Sequence, residues 1–223
     1  MAKVFLSAGH GGSDPGAVGN GFKEKDINLQ IMLACQAELV RHGLTVVCSR
    51  TTDENDPVQA EVQEANASGA DIAVSFHTNA GGGDGSESFY WATSADGMRL
   101  AQLCEKYTKE IGQNSRGVKT NNLMFTRETT MVAVLCECAF IDNKNDIVIV
   151  DTVAEQKAFG VAYAKAILEY FGIAYKAPVT TTTTSSSDTL YRVQVGAFKV
   201  KENAEKLVAE LESKGYSAFI KAE

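Results

Sequence analysis

The chain alternates short runs of apolar, β-branched residues with longer segments in which apolar residues recur every third or fourth position. Such runs are typical of buried strands in a parallel sheet, and such spacing is typical of helices that pack on one. Strands are predicted at 3–8, 44–49, 71–76, 86–93 and 132–139, and helices at 24–42, 57–68, 97–111 and 152–171. This order predicts an α/β fold with a mostly parallel, twisted sheet flanked by helices on both faces.

The pattern changes after residue 175. Residues 176–189 are rich in threonine and serine and have no apolar periodicity, which predicts a solvated linker. Beyond it, 190–198 and 216–220 alternate as strands do, and 201–214 has helical spacing. We therefore predict a main domain at 1–175, a linker at 176–189 and a small βαβ unit at 190–223. A unit this small cannot bury its own core, so it is predicted to need a partner copy.

Composition narrows the possible functions. A chain of 223 residues with 44% hydrophobic content can bury one full core and carry a small appendage. The net charge of −7 argues against a nucleic-acid partner, which requires a basic patch. No run of 18 apolar residues occurs, and the first strand follows the amino terminus without a signal sequence. We expect no membrane partner and synthesis in the cytoplasm.

The five cysteines are odd in number, form no CxxC pair and lie inside predicted helices and strands. They are predicted to be reduced core residues rather than disulfide partners.

Two of the three histidines lie just beyond predicted strands: His10 is two residues after strand 3–8, and His77 is the first residue after strand 71–76. Ligands of parallel sheets gather at the carboxyl ends of the strands, so both imidazoles are expected to face one crevice. This arrangement makes a zinc site the first hypothesis. The third histidine, His42, falls at the end of a predicted helix, where a cation interacts favourably with the helix dipole.

A catalytic zinc site has three protein ligands and one position left for water, so one ligand remains to be found. Glu24 is the leading candidate, because it opens the helix that follows the His10 loop. Asp14 and Asp26 remain weaker alternatives, since an aspartate beside glycine and proline commonly forms a turn.

A hydrolytic zinc site also needs a base that is not a ligand. Glu137 lies within an apolar strand, where burying a carboxylate is costly without a function. Side chains alternate along a strand, so Cys136 and Cys138 are predicted to point away from the face of Glu137. The alternative is that Glu137 pairs with an arginine such as Arg127.

Four segments carry a family resemblance: LSAGHGGSDPGAVGNGFKEKDINL (6–29), SFHTNAGGGDGSESFYW (75–91), SRGVK (115–119) and AVLCECAFIDN (133–143). In this order they resemble the zinc-dependent N-acetylmuramoyl-L-alanine amidases of the amidase-3 type, over residues 3–171. The chain departs from the family pattern at Glu61, where arginine is usual, and at Val132, where proline is common.

The resemblance implies one zinc ion per domain, held by His10, Glu24 and His77, with Glu137 as the catalytic glutamate. It also implies the reaction, which is hydrolysis of the amide between N-acetylmuramic acid and L-alanine in peptidoglycan. Zinc would polarise the carbonyl oxygen and lower the pKa of water, and Glu137 would move the proton to the departing amine.

Five polar residues in loops or at strand ends are further candidates for holding the peptide. Each is explained equally well as surface polarity, a turn or a helix cap. They are Asn79, Glu87, Arg116, Asn122 and Arg127.

YRVQVGAF (191–198) and the helix behind it resemble one half of a SPOR repeat, a peptidoglycan-binding module. A full module has two such halves, so either the chain is cut short or two halves pair between molecules. The second possibility predicts a homodimer through 190–223. An amidase joined to such a half is similar to lytic amidases of spore formers and to phage endolysins, which would act on the wall after release or lysis.

Two rival functions remain. A catalytically inactive cell-wall binding protein would have lost the base or a zinc ligand, and this chain keeps Glu137 and both histidines. A nucleotide hydrolase would depend on the glycines around His10, but neither GxxxxGK[ST] nor GxGxxG follows a strand.

Overall fold

The computed structural model describes residues 2–178, 195–213 and 219–220. The chain divides into two compact units, Met1–Ala177 and Pro178–Glu223. In chain order the main elements of the first unit are β1 (Lys3–Ala8), β2 (Val18–Gly19), β3 (Phe22–Lys23), α1 (Glu24–Arg41), β4 (Thr45–Cys48), α2 (Val58–Ser68), β5 (Ile72–Asn79), β6 (Ser86–Tyr90), α3 (Ala95–Glu110), β7 (Ser115–Thr120), α4 (Met124–Glu128), β8 (Val132–Phe140) and α5 (Val153–Tyr170).

Six of the strands form one sheet in the order β4-β1-β5-β8-β6-β7. The four strands from β4 to β8 in this order are parallel, β6 runs antiparallel to β8, and β7 is parallel to β6. The carboxyl ends of β1, β5 and β8 therefore meet the amino ends of β6 and β7 at one edge. We call this the upper edge of the sheet. The predicted mostly parallel sheet is confirmed.

Helices cover both faces, as predicted. On one face α1, α3 and α5 enclose the larger core, which includes the fully buried Leu6, Val74 and Tyr163. On the other face α2 and α4 enclose a smaller core around Phe5 and Phe125. Alternate residues of each strand supply the two cores, because neighbouring side chains of a strand point to opposite faces.

The structure corrects two strand ends: β6 stops at Tyr90, before the predicted residue 93, and β5 runs past the predicted residue 76. The sequence predicts that His77 follows its strand, but β5 continues to Asn79 and contains His77. The strand is longer because its pairing with β8 continues through His77 opposite Glu137 to Asn79 opposite Phe140. The end of a strand depends on how far its neighbour continues to pair with it. The periodicity of residues within the strand contains no information about that pairing.

All five cysteines are free thiols, and four of them are buried. Cys136 and Cys138 belong to the core beneath α1, α3 and α5. The neighbouring Glu137 faces the opposite way, so the predicted reduced state and the predicted direction of both side chains are confirmed.

The second unit contains α6 (Lys201–Ser213), close to the predicted helix. The strand predicted over 190–198 is not found in the part that the structure describes, because residues 195–198 are irregular. A strand requires a paired neighbour, and the described residues of this unit contain no second strand. The strand predicted over 216–220 lies outside the described residues except for 219–220, which are irregular. Across the described helices of the whole chain, none combines the length and apolar character needed to span a bilayer.

Candidate metal centre

The residues His10, Glu24 and His77 converge at the upper edge. One ligand atom from each lies within 4.8 Å of the others. His10 Nε2 is 3.3 Å from Glu24 Oε2, and His77 Nδ1 is 2.9 Å from Glu24 Oε1. His10 follows β1, Glu24 is the first residue of α1, and His77 lies in β5. The three predicted ligands therefore share one site, whereas Asp26 is exposed and outside this group.

The backbone around this site is shaped to the three side chains. His10 has a φ of +67°, a left-handed conformation that costs a residue with a side chain about 1–3 kcal/mol. A Cβ on Gly9 would lie 2.1 Å from His77 Cε1, and one on Gly16 would lie 2.6 Å from Glu24 Oε2. Glycine is therefore required at both positions for the loop to approach the cluster.

Hydrogen bonds orient these side chains. Asp14 Oδ2 lies 2.8 Å from His10 Nδ1, so the aspartate supports the imidazole and leaves its Nε2 facing Glu24. The backbone N–H groups of Ala17 and Thr78 donate to the two carboxylate oxygens of Glu24, at 2.8 and 3.1 Å. Such outer contacts fix the orientation of metal-binding side chains. Asp14, the weaker alternative as a ligand, is thus placed as a support for His10.

The contacts of Glu24 with His10 and His77 shift the pKa values of all three side chains. Hydrogen bonding to Glu24 raises the pKa of His10 to about 9. Burial lowers the pKa of His77, but the hydrogen bond to Glu24 and the negative charges of Glu137, Glu24 and Glu61 together outweigh burial and leave that pKa raised. Burial raises the pKa of Glu24, yet the hydrogen bonds from both imidazoles hold it well below its usual range. The carboxylate is ionised, and protons compete with any cation for the imidazoles.

This set of ligand atoms fits zinc. Two imidazole nitrogens and one carboxylate oxygen are ligands that Zn²⁺ accepts, and three protein ligands leave a fourth position for water or substrate. Asp14 already holds the His10 side chain, and the backbone of Ala17 and Thr78 holds that of Glu24. Little further ordering of these side chains is therefore needed when a zinc ion binds.

Glu137 stands beside this cluster on the neighbouring strand. It is opposite His77 in the pairing of β5 with β8, so both side chains point to the same face. Its Oε2 atom is buried and has no hydrogen-bond partner among the described residues. Burial raises the pKa of Glu137 to about 7, with a further contribution from Glu24. A carboxylate with a pKa near neutrality is suited to general-base chemistry.

The alternative partner for Glu137 is occupied elsewhere. Arg127 donates from Nη2 to Glu128 Oε1 at 2.6 Å and from Nη1 to Asn122 Oδ1. Asn122 and Arg127 therefore bind one another, and no hydrogen bond or ion pair between the described residues joins them to Glu137.

Three of the candidate peptide contacts lie next to Glu137. Glu87, on β6, is directly opposite Glu137 in the sheet. Its Oε1 accepts from Asn79 Nδ2 at 3.0 Å, and its Oε2 accepts from Arg116 Nε at 2.7 Å and from Lys119 Nζ. Sequence reasoning missed Lys119, because β7 lacks an apolar alternation that would identify it as a strand.

Two further residues clarify the sequence interpretation. Arg50, which the sequence analysis missed, is buried and donates to the backbone oxygens of Ala8 and Lys25, both at 2.8 Å, so it braces the loop that carries His10. Its position just after strand 44–49 was the signal in the sequence that could have identified it.

His42 lies at the end of α1, away from the candidate metal centre. The backbone N–H of Lys176 donates to its Nε2 at 2.9 Å.

Comparison with known proteins gives two family matches. Residues 4–169 match the N-acetylmuramoyl-L-alanine amidase family, and residues 161–222 match the SPOR domain family. The chain is 35% identical to a sporulation-specific N-acetylmuramoyl-L-alanine amidase of Bacillus subtilis, over 99% of this chain and 84% of that protein. It is 38% identical to an endolysin of Bacillus phage SPP1, over 71% of this chain and 64% of the endolysin. The crystal structure of an N-acetylmuramoyl-L-alanine amidase from Clostridium difficile 630 superposes with a TM-score of 0.73 and 30% identity, covering 77% of this chain and 97% of that one.

Proposed function

Since the chain belongs to the N-acetylmuramoyl-L-alanine amidase family, we propose that it uses one zinc ion, bound by His10, Glu24 and His77, to hydrolyse its substrate. The substrate bond is the amide between N-acetylmuramic acid and L-alanine in peptidoglycan. The observation that carries this proposal is the convergence of two imidazoles and a carboxylate beside Glu137, a buried acid with an unpartnered oxygen.

The reaction requires a water molecule to add to the carbonyl carbon and a proton to reach the leaving nitrogen. A bound zinc ion supplies polarisation of the carbonyl oxygen and lowers the pKa of water. Glu137 accepts the proton of the attacking water and passes it to the amine of L-alanine as the C–N bond breaks. Its unpartnered Oε2 is available for this transfer, and Asp14 keeps the His10 imidazole in its orientation throughout.

Asn79, Glu87 and Arg116 lie beside Glu137 and are proposed to line the peptide-binding side of the site. Asn122 and Arg127 stay candidates for the same role, since α4 packs against β8, the strand that bears Glu137.

Metal removal tests the proposal directly. The purified protein is expected to contain about one zinc ion per chain and to release amino-terminal L-alanine from isolated peptidoglycan. Chelation should abolish this release, and added zinc should restore it, because the carbonyl is not polarised without the metal. Metal analysis and amino-terminal labelling of the digested wall are the measurements. Full activity in metal-free protein would contradict zinc dependence, and a zinc-loaded protein without turnover would favour the inactive wall-binding alternative.

We further propose that the enzyme is made in the cytoplasm and lyses the wall after release or cell lysis. The similarity to an endolysin supports this role.

The second unit is proposed to bind peptidoglycan, because residues 161–222 match the SPOR family. The first part of this match lies in α5, where Tyr163 and Ile167 are fully buried in the core of the first unit. We therefore assign the proposed binding role to the residues after Ala177.

A half module predicts a homodimer formed through 190–223. Light scattering should give a dimer for the full chain and a monomer for a chain ending at Ala177, because a second copy would complete the half module and give its predicted strands partners. A monomeric full-length chain would rule out pairing between copies. A dimer that binds sacculi no better than the shortened chain would keep the pairing and remove the anchoring role.

A further inference from the structure

Among the described residues, α3 packs against β6 and β7 on one face of the sheet next to Glu137. The side chains of Ser86 and Ser88 on β6 bond to Glu105 of α3, which covers that face. Glu87, between them, points to the other face, where α2 and α4 pack against β1 and β8. Arg116 and Lys119 of β7 reach the Glu87 carboxylate on this side and keep 38% and 35% of their side-chain surface exposed. The two cations thus face solvent beside the reacting centre.

These three side chains form a group that we call the cationic trio: Glu87, Arg116 and Lys119. Burial raises the pKa of Glu87, but Lys119 and Arg116 outweigh it and hold that pKa below its usual value, so the carboxylate is ionised. Two cations then share one anion, and the trio has a net charge of +1.

The trio also has hydrogen-bond donors to spare. A guanidinium has five N–H donors and an ammonium three, and only one from each cation contacts Glu87. The Arg116 guanidinium lies 5.0 Å from the centre of the Phe140 ring, which limits its movement. Because Glu87 and Phe140 hold the Arg116 guanidinium in place, an anion would bind without further ordering of that side chain.

We propose that Arg116 and Lys119 bind a free carboxylate of the stem peptide and make the enzyme selective for acidic stem peptides. This inference rests on the proposed function. The residue after L-alanine in a stem peptide carries a carboxylate that is either free or amidated. A free carboxylate accepts charge-assisted hydrogen bonds from both cations, whereas a carboxamide adds a donor where only donors are present. The chain as a whole has a net charge of −7, which repels an acidic peptide, so a local excess of positive charge is needed at the site.

Two substrates test the selectivity: muramoyl peptides that differ only in whether this carboxylate is free or amidated. The acid form should have the higher kcat/KM. Arg116→Gln and Lys119→Gln should each reduce the ratio between the two substrates by about three- to tenfold, as expected for a partly exposed charged hydrogen bond. Lys157→Gln, the same change at an exposed position of α5, is the matched control and should leave the ratio unaltered.

Glu87→Gln should change the ratio between the two substrates in the opposite direction to Arg116→Gln and Lys119→Gln. It removes the anion that competes with the peptide, so the net charge of the trio rises from +1 to +2. The carboxamide oxygen can still accept from both cations and keep them in place, so the preference for the acid substrate should increase. Any effect of Glu87 on Glu137 acts on both substrates alike and cancels in the ratio. Equal losses on both substrates in all three variants would overturn the proposal and leave the trio as a brace of the sheet.

Peptide binding separates this inference from the proposed function. Calorimetry with the free peptides, which begin with L-alanine, needs no turnover. The acid peptide should bind more tightly than the amide, and salt should weaken the difference. The variant that combines Glu87→Gln, Arg116→Gln and Lys119→Gln leaves no unpaired charge and should lose the difference. Selective binding without amide cleavage would keep the subsite and refute the amidase mechanism. Cleavage without any selectivity in rate or binding would refute the carboxylate subsite and keep the amidase mechanism.

Discussion

His77→Ala is expected to lose the zinc ion and with it the hydrolysis of peptidoglycan. The change removes one of the three proposed ligands and leaves Glu24 with His10 alone. Two ligands do not make a catalytic zinc site, which needs three. Zinc content should fall well below one ion per chain, and release of amino-terminal L-alanine should stop. Elemental analysis of the purified variant and amino-terminal labelling of digested peptidoglycan are the measurements.

His42→Ala is the matched control, because it removes the remaining histidine at the end of α1. This imidazole contacts the backbone oxygen of Glu38 and the backbone N–H of Lys176. Its loss should leave both zinc content and activity at the level of the unaltered protein. Circular dichroism of both variants checks that the fold is intact. A full complement of zinc in folded His77→Ala protein would overturn the assigned ligands.

The convergence of His10, Glu24 and His77 was predictable because it follows from strand order. Parallel strands bring their carboxyl ends to the same edge, so residues that are 67 positions apart, such as His10 and His77, meet there once the sheet is recognised. The direction of Glu137 was predictable from alternation alone, since its cysteine neighbours are apolar in character.

The cationic trio was not predictable in the same way. Glu87 and Arg116 were named only as possible peptide contacts, and Lys119 was missed. Their meeting depends on β6 running antiparallel to β8 and on a shift in register between Ser86 and Ser88. Both are properties of tertiary pairing, and the short segment SRGVKT has no period that would reveal them.

Glu61 stands where the resemblance leads one to expect arginine, and the structure shows where this residue lies. The structure places it in the first turn of α2 with only 3% exposure. Burial raises its pKa, and the electrostatic influence of His77 lowers it. The sequence identified the substitution, but only the packing of α2 against the sheet shows that a second buried carboxyl lies within electrostatic range of His77.

Glu137→Gln should keep the zinc ion and the native fold but lose most of its turnover. The carboxamide has nearly the same shape as the carboxylate but cannot accept the proton of the attacking water. Loss of a general base lowers turnover by roughly 10²- to 10⁴-fold. The proposed zinc ligands are untouched, so metal content should stay at one ion per chain. Zinc analysis alongside initial rates of L-alanine release distinguishes this behaviour from that of His77→Ala.

Glu61→Gln is the matched control for this change, because it also neutralises a buried carboxyl on the same side of the sheet. Glu137 is distinguished from Glu61 by its position opposite His77 and by its unpartnered Oε2 atom. The control should therefore keep zinc and lose far less turnover than Glu137→Gln. If Glu137→Gln released L-alanine termini at near the unaltered rate, the base would have to be another carboxylate, and Glu87, directly across β6, would be the first to test.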